Sequence, residues 1–128
     1  MAGPLDGKRI LVVDDDADIR AAMEAALAET GASITHASDG NEAINEFLAS
    51  NPDLVVLDMG LPKRSGYLVL NRIKPDRKPG SPPYVVVVTA NSGKRHEVYA
   101  KSLGVDEYIT KPFRMDRLVS TVRNLLAP

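Results

Sequence analysis

In this chain, carboxylates, a hydroxyl and a lysine stand where apolar runs stop. Asp14, Asp15 and Asp16 follow Ile10–Val13, and Asp58 ends Leu54–Leu57 in the stretch LVVLDMGLP. Thr89, Ala90 and Asn91 follow Tyr84–Val88, and Thr110, Lys111 and Pro112 follow Glu107–Ile109. A carboxylate at the end of an apolar run is costly to bury unless it is paired or binds a metal. Several carboxylates brought together repel one another unless a cation sits among them. Oxygen-only ligands favour Mg²⁺, with Mn²⁺ as the alternative, over zinc. A magnesium held by two carboxylates keeps water positions free for phosphate oxygens. Lys111 adds a point charge suited to a phosphoryl group, and Thr89 adds a hydroxyl donor. An aspartate can itself be the nucleophile and form an acyl phosphate. A metal, a lysine and N–H donors would then stabilise charge on the transferring group. The chemistry open to this set is metal-assisted phosphoryl transfer, with Asp58 ending its strand at the rim of a metal-phosphate site.

Those residues need elements to hold them. Short β-branched runs at Ile10–Val13, Ser33–Ala37, Leu54–Leu57, Tyr84–Val88 and Glu107–Ile109 read as strands. Most are almost wholly apolar, as expected of strands covered on both faces, while SITHA is more polar and reads as an edge. Helical patterns lie between them. Ile19, Met23, Ala26 and Leu27 form one stripe, with Gly31 as the stop. Asp39 and Glu42 have the spacing of a capping box opening a second helix, whose apolar face is Ala43, Ile44, Phe47 and Leu48. That helix ends before Asn51-Pro52. Further helices fit Gly66–Ile73, Gly93–Leu103 with Gly104 as its stop, and Met115–Leu126 with Leu118, Val122 and Leu125 in one stripe. Pro75–Pro83, PDRKPGSPP, must be a loop. Strand alternates with helix five times, which implies an α/β fold with a parallel sheet covered on both faces. Right-handed crossovers leave few topologies. In such sheets ligands bind beyond the carboxyl ends of the strands. If the order is 2-1-3-4-5, the acids, Thr89 and Lys111 share one rim.

The bulk numbers remove other classes. The 128 residues fit one domain, long enough to bury a self-sufficient core. A formal net charge of -1 gives no electrostatic argument for nucleic acid or an acidic membrane surface. With no cysteine there is no disulfide, thiolate nucleophile or cysteine metal site. No apolar run approaches the roughly 20 residues needed to span a bilayer, and MAGPLDGKR lacks the apolar core of a signal peptide. The expectation is a soluble, cytoplasmic protein with no membrane or direct nucleic-acid partner.

Together, ILVVDDD, PDLVVLDMGLPKRSG, VVVVTA and YITKPF, in this order and spacing, resemble the receiver domain of two-component response regulators. The resemblance runs from about Lys8 to Leu126, and Pro62 and Gly66, four and eight residues after Asp58, strengthen it. It implies a flavodoxin-like, doubly wound (βα)5 domain over residues 8–126 with strand order 2-1-3-4-5. Residues 1–7 would be an extension, and no output domain lies in these residues. It implies that Asp58 accepts a phosphoryl group from a sensor histidine kinase or a histidine phosphotransfer protein. Asp14 and Asp15 would be the acidic pair at the metal, Asp15 directly and Asp14 largely through water, with the Gly60 carbonyl as a further ligand. The N–H groups of Met59 and Ala90 would meet the phosphate, Thr89 would bond one of its oxygens, and Lys111 would pair with it. The Lys111–Pro112 bond would be cis, aiming the lysine inward. Thr89 and Tyr108 would be the switch pair that reshapes the face of helix 4, strand 5 and helix 5 for an effector, an output domain or a homodimer formed on phosphorylation. Gly60 and Asn91 occupy the positions that tune dephosphorylation, and Gly60 offers no side chain to shield or orient water. The implied protein is a regulatory switch that catalyses chemistry only on itself.

Plainer readings stand beside these. Asp16 or Asp18 could cap the first helix, and Tyr108 could be a packed strand aromatic. His36 and His96 read as surface residues. Lys63, Arg64, Lys74, Arg77 and Lys78 read as a solvated rim; without interleaved aromatics they do not argue for nucleic acid. The alternative functions are a receiver-like binding module that is never phosphorylated, and an aspartyl-phosphate phosphohydrolase. The haloacid dehalogenase-like enzymes place a second Asp two residues after the nucleophile, where this chain has Gly60. No G-x-G-x-x-G or P-loop follows the first strand, which counts against a nucleotide-binding domain.

Overall fold

The computed structural model describes residues 3–127; the first two residues of the expected extension lie outside that range. Five strands and five helices alternate: β1 (Arg9–Val13), α1 (Ala17–Ala28), β2 (Ser33–Ala37), α2 (Gly40–Ser50), β3 (Leu54–Leu57), α3 (Gly66–Ile73), β4 (Tyr84–Thr89), α4 (Lys94–Ser102), β5 (Glu107–Thr110) and α5 (Met115–Leu126). The strands form one parallel sheet in the order β2-β1-β3-β4-β5. The polar strand β2 is an edge, as its sequence predicts, and β1, β3 and β4 are buried on both faces. Alternate residues of each strand feed two cores. Leu11, Val13, Val55, Leu57, Val85 and Val87 face α2, α3 and α4, and Ile10, Val12, Leu54, Val56, Val86 and Val88 face α1 and α5. Both faces of the central strands are sealed, so β1, β3 and β4 can display polar groups only at their ends.

Local chemistry explains the helix limits. Asp16 Oδ1 accepts hydrogen bonds from Asp18 N and Ile19 N, so Asp16 caps α1. Asp39 Oδ1 accepts from Glu42 N at 2.8 Å, but the reciprocal bond differs from the expected capping box: Glu42 Oε1 accepts from Ser38 N. Asn51 ends α2 in the left-handed region at φ 48°, a conformation that Asn tolerates. Gly104, at φ +99°, ends α4.

Three side chains depart from the sequence-based expectation. Leu48, assigned to the apolar face of α2, is 63 % exposed, whereas Ala43 and Ile44 of the same helix are buried and Phe47 packs partly buried against the core. On α5, Leu126 is buried and Leu125 only partly so. Lys74, expected on a solvated rim, is 1 % exposed. It follows the last turn of α3, and its ammonium donates to Ser81 O at 2.6 Å and Pro83 O at 2.8 Å, with Asp106 Oδ2 at 3.6 Å. Asp106 also accepts from Gly80 N and Val85 N. The proline-rich loop, which carries a cis Pro82–Pro83 bond, is thus folded back over a buried ion pair. Leu5, in the stretch ahead of β1, is fully buried in the α1/α5 core, and its N–H donates to Thr30 O. No helix among the described residues is long and apolar enough to cross a membrane.

Candidate functional site

The parallel order brings the carboxyl ends of β1, β3, β4 and β5 to one rim. Asp14 follows β1; its N–H donates to Ala37 O, which continues the ladder one residue past the strand. Asp58 follows β3 in the same way, its N–H donating to Val13 O. Side-by-side pairing of β1 and β3 therefore sets Asp14 and Asp58 next to each other. Asp14 is fully buried, Asp58 nearly so, and Asp15 is exposed. A carboxylate oxygen from each of the three lies within 4.8 Å of the other two.

Lys111 reaches this cluster from the end of β5. Its Nζ lies 2.8 Å from Asp14 Oδ2 and 3.3 Å from Asp58 Oδ2, and the Lys111–Pro112 bond is cis. Burial draws the ammonium pKa down, but the Asp14 hydrogen bond and the Asp58 and Asp14 charges outweigh it and hold it above the usual lysine value. Lys111 pairs with two of the three acids, and the ligand atoms are all oxygen. That donor set fits a small hard dication such as Mg²⁺. The exposed Asp15 leaves the cluster open to water on one side.

The loops around the cluster are held by their own polar atoms. Asp14 Oδ1 accepts from Asp16 N and Asp58 Oδ1 accepts from Gly60 N, so each acid turns the chain back over itself. Arg20, which nothing in the sequence singled out, donates from Nη1 to Asp14 O at 2.8 Å. It lies over one helical turn from Asp14, a separation that matches no motif spacing. Gly66 N donates to Met59 O at 3.2 Å, and a Cβ on Gly66 would meet Met59 Cα at 2.5 Å and Asp58 O at 2.7 Å. Only glycine allows α3 to start that close to the loop after Asp58. Pro62 O accepts from Gly40 N and Arg64 N, which ties the same loop to the start of α2.

On the β4 side, Thr89 is the last residue of its strand, buried and paired in register with Thr110. Its Oγ1 accepts from Asn91 N at 3.3 Å. Ala90 and Asn91 are exposed, as is Gly60. Tyr108 is buried, and its hydroxyl donates to Asn91 O. Burial, then the neighbouring Tyr67 and Glu97, push its phenol above the ordinary tyrosine value. The histidines lie away from the cluster on other elements. His36, on the edge strand β2, is exposed and lies 2.9 Å from Glu24 of α1; His96 is exposed on α4.

The fold and its rim define a doubly wound α/β domain with an acid cluster, a lysine and a buried threonine at the carboxyl ends of the strands. Comparison with known proteins specifies which. The response regulator receiver domain family matches residues 10–123, and this chain belongs to that family. It is 42 % identical over 115 residues to the transcriptional regulatory protein DltR of Streptococcus agalactiae, covering 90 % of this chain and 50 % of that protein. It is 36 % identical over 118 residues to the response regulator MprA of Mycolicibacterium vanbaalenii, covering 92 % of this chain and 50 % of that protein. The chain thus spans about half the length of these curated relatives. Among solved structures, the receiver domain of the Francisella response regulator 1452 superposes with a TM-score of 0.84 at 28 % identity, covering 94 % of this chain and 97 % of that one. The BeF3-activated DrrB receiver domain superposes with a TM-score of 0.83 at 29 % identity, covering both chains completely. The chain is a regulatory receiver domain of the two-component type.

Proposed function

We propose that this domain is a phospho-accepting switch in which Asp58 takes a phosphoryl group from a phosphohistidine on a sensor kinase or phosphotransfer protein. The observation that carries the reading is the pairing of one lysine with two buried acids: Lys111 Nζ lies 2.8 Å from Asp14 and 3.3 Å from Asp58. An Asp58 oxygen attacks phosphorus, the phosphorus–nitrogen bond breaks, and the imidazole leaves with the electron pair. Bound Mg²⁺, held by Asp14, Asp15, Asp58 and the Gly60 carbonyl, would supply charge neutralisation for the transferring oxygens. Lys111 exchanges its carboxylate contacts for a phosphoryl oxygen, and the Thr89 hydroxyl and the N–H groups of Met59 and Ala90 take the others. Water later attacks the phosphorus of the acyl phosphate, the phosphorus–oxygen bond to Asp58 breaks, and inorganic phosphate leaves with the carboxylate restored. The positions flanking that water path, Gly60 and Asn91, set its rate.

The readout proposed for the switch is the α4-β5-α5 face. The Tyr108 hydroxyl is bound to the carbonyl of Asn91, two residues after Thr89. Movement of Thr89 toward a phosphoryl group would therefore be felt at Tyr108 and along β5. The receiving partner is an effector, an output domain or a second copy of the chain. Support for an output domain comes from relatives twice this length that are named transcriptional regulators. For the kinase side, a cleft of about 500 Å³ lined by Ile19, Ala22, Pro112, Phe113 and Met115 opens beside Lys111. It offers apolar seating for a donor helix next to the acceptor.

The test is incubation with Mg²⁺ and acetyl phosphate, followed by intact mass. One phosphoryl adduct, absent in Asp58→Asn and in a chelated sample, supports the reading. If no adduct forms, Mg²⁺ with beryllofluoride decides: binding means the acyl phosphate hydrolyses too fast to collect, and no binding identifies a module that is never phosphorylated.

A further inference from the structure

We infer that Tyr67 is a positioning residue that couples the Asp58 site to α4 through its ring contact with Tyr99. The inference rests on the phospho-acceptor reading of Asp58 and names a route by which that site is read out.

Tyr67 is the second residue of α3, next to Gly66, whose N–H is bonded to the carbonyl of Met59. It is therefore fixed to the segment that follows Asp58. Its ring is partly buried against the core cluster that contains Tyr108, Val87, Ala100 and Leu103. On its other side it meets Tyr99 of α4, with ring centroids 5.3 Å apart and planes tilted by 45°. The Tyr108 phenol responds electrostatically to Tyr67 and to Glu97 of α4, in keeping with this packing.

The other anchors of α4 are few. Ala100 is its one buried residue, Gly93 gives it no side-chain cap, and Val98 and Tyr99 are more than half exposed. A helix held this lightly has a low cost of displacement. The tilted tyrosine pair is then a large part of what sets its position, and it is a contact of modest strength that can be remade. When the Tyr108–Asn91 contact or the loop after Asp58 moves, Tyr67 moves with the cluster and carries Tyr99 along. Coupling of this kind acts in both directions: changes at Tyr99 will alter the affinity of the Asp58 site.

The experiment compares amide spectra before and after Mg²⁺ with beryllofluoride for the parent chain, Tyr67→Leu, Tyr67→Phe and Tyr99→Leu. In the parent, shifts are expected at Met59 and Ala90, reporting the site, and across residues 94–102, reporting α4. Tyr67→Leu and Tyr99→Leu keep the site shifts and lose at least half of the α4 shifts. Tyr67→Phe, which preserves the ring, retains both. Tyr99 is 54 % exposed, so its variant folds even if Tyr67→Leu does not. Parent-sized α4 shifts in Tyr99→Leu, or in a folded Tyr67→Leu, overturn the inference and leave the phospho-acceptor reading intact. A parent chain that binds no beryllofluoride overturns both.

Discussion

Lys111 Nζ stands 2.8 Å from Asp14 Oδ2, and Asp14 has no solvent exposure. The same ammonium is 3.3 Å from Asp58 Oδ2. One cation therefore stands between carboxylates that would otherwise repel.

Lys111→Met should expose that repulsion. Breaking a buried pair costs about 3–5 kcal/mol; Lys111 is 17 % exposed, so about 2 kcal/mol is expected in chelating buffer. Saturating Mg²⁺ should recover much of the loss, because a dication takes over the neutralisation. Urea unfolding with and without Mg²⁺ checks this. Equal losses in the two buffers would mean that Lys111 does not serve as the counter-charge.

Gly66→Ala tests the close approach of α3. The added Cβ would lie 2.5 Å from Met59 Cα and 2.7 Å from Asp58 O, both backbone atoms that cannot rotate aside. Overpacking of this kind costs about 1–3 kcal/mol. The displaced loop carries Asp58, so phosphorylation by acetyl phosphate should slow at least tenfold even at a temperature where the variant is folded. Parent-like rates in a folded variant would show that the loop tolerates the shift.

Lys74→Met keeps the aliphatic packing and removes the ammonium. It leaves the carbonyls of Ser81 and Pro83 without their donor and Asp106 without its cation. A loss of about 2–3 kcal/mol is expected, together with faster proteolytic cleavage within residues 75–83. The exposed Lys78→Ala, by contrast, should change stability by no more than about 0.5 kcal/mol. Similar denaturation midpoints for all three proteins would rule out the clamp.

The Tyr108 phenol sits above its ordinary value, with burial as the leading cause. The folded state holds that proton more tightly than the unfolded chain. Its contribution to stability is complete below about pH 10, the unfolded value, and is lost as pH rises through the raised folded value. Tyr108→Phe should therefore flatten the alkaline fall in stability. Phenolate absorbance should show one of the four tyrosines titrating last, and that step should vanish in the variant. A last step that survives belongs to another tyrosine.

Gly60 has room for a side chain: a Cβ there would meet only Asp58 Oδ1, at 3.8 Å. Gly60→Asn would add an amide able to orient water beside Asp58 and should shorten the acyl-phosphate lifetime several-fold. Asn91→Ala removes the amide already at the rim and should lengthen it. Decay of phosphorylated protein after removal of the donor measures both; unchanged lifetimes would leave neither position with a kinetic role.

Much of this protein was legible in its residues because the information is local. Runs such as LVVL and VVVV read as strands covered on both faces, and strands alternating with helical segments imply a parallel sheet. Asp14, Asp58, Thr89 and Lys111 each stand at a strand end, so once the strands pair in parallel the four groups must share a rim. Helix limits followed from Asp16, Asp39, Asn51-Pro52 and Gly104, whose chemistry acts over one turn.

What only the tertiary structure decided depends on elements distant in the chain. Lys74 looks like any surface lysine; it is buried because the carbonyls of Ser81 and Pro83 and the carboxylate of Asp106 meet around it. Leu48 belongs to the apolar stripe of α2, yet no neighbouring element covers it. The bond from Arg20 to Asp14 and the tilted ring contact of Tyr67 with Tyr99 have no signature in spacing. Periodicity says which face of an element is apolar, while the partner that covers a given residue is set by how the elements cross, and that is a property of the assembled chain.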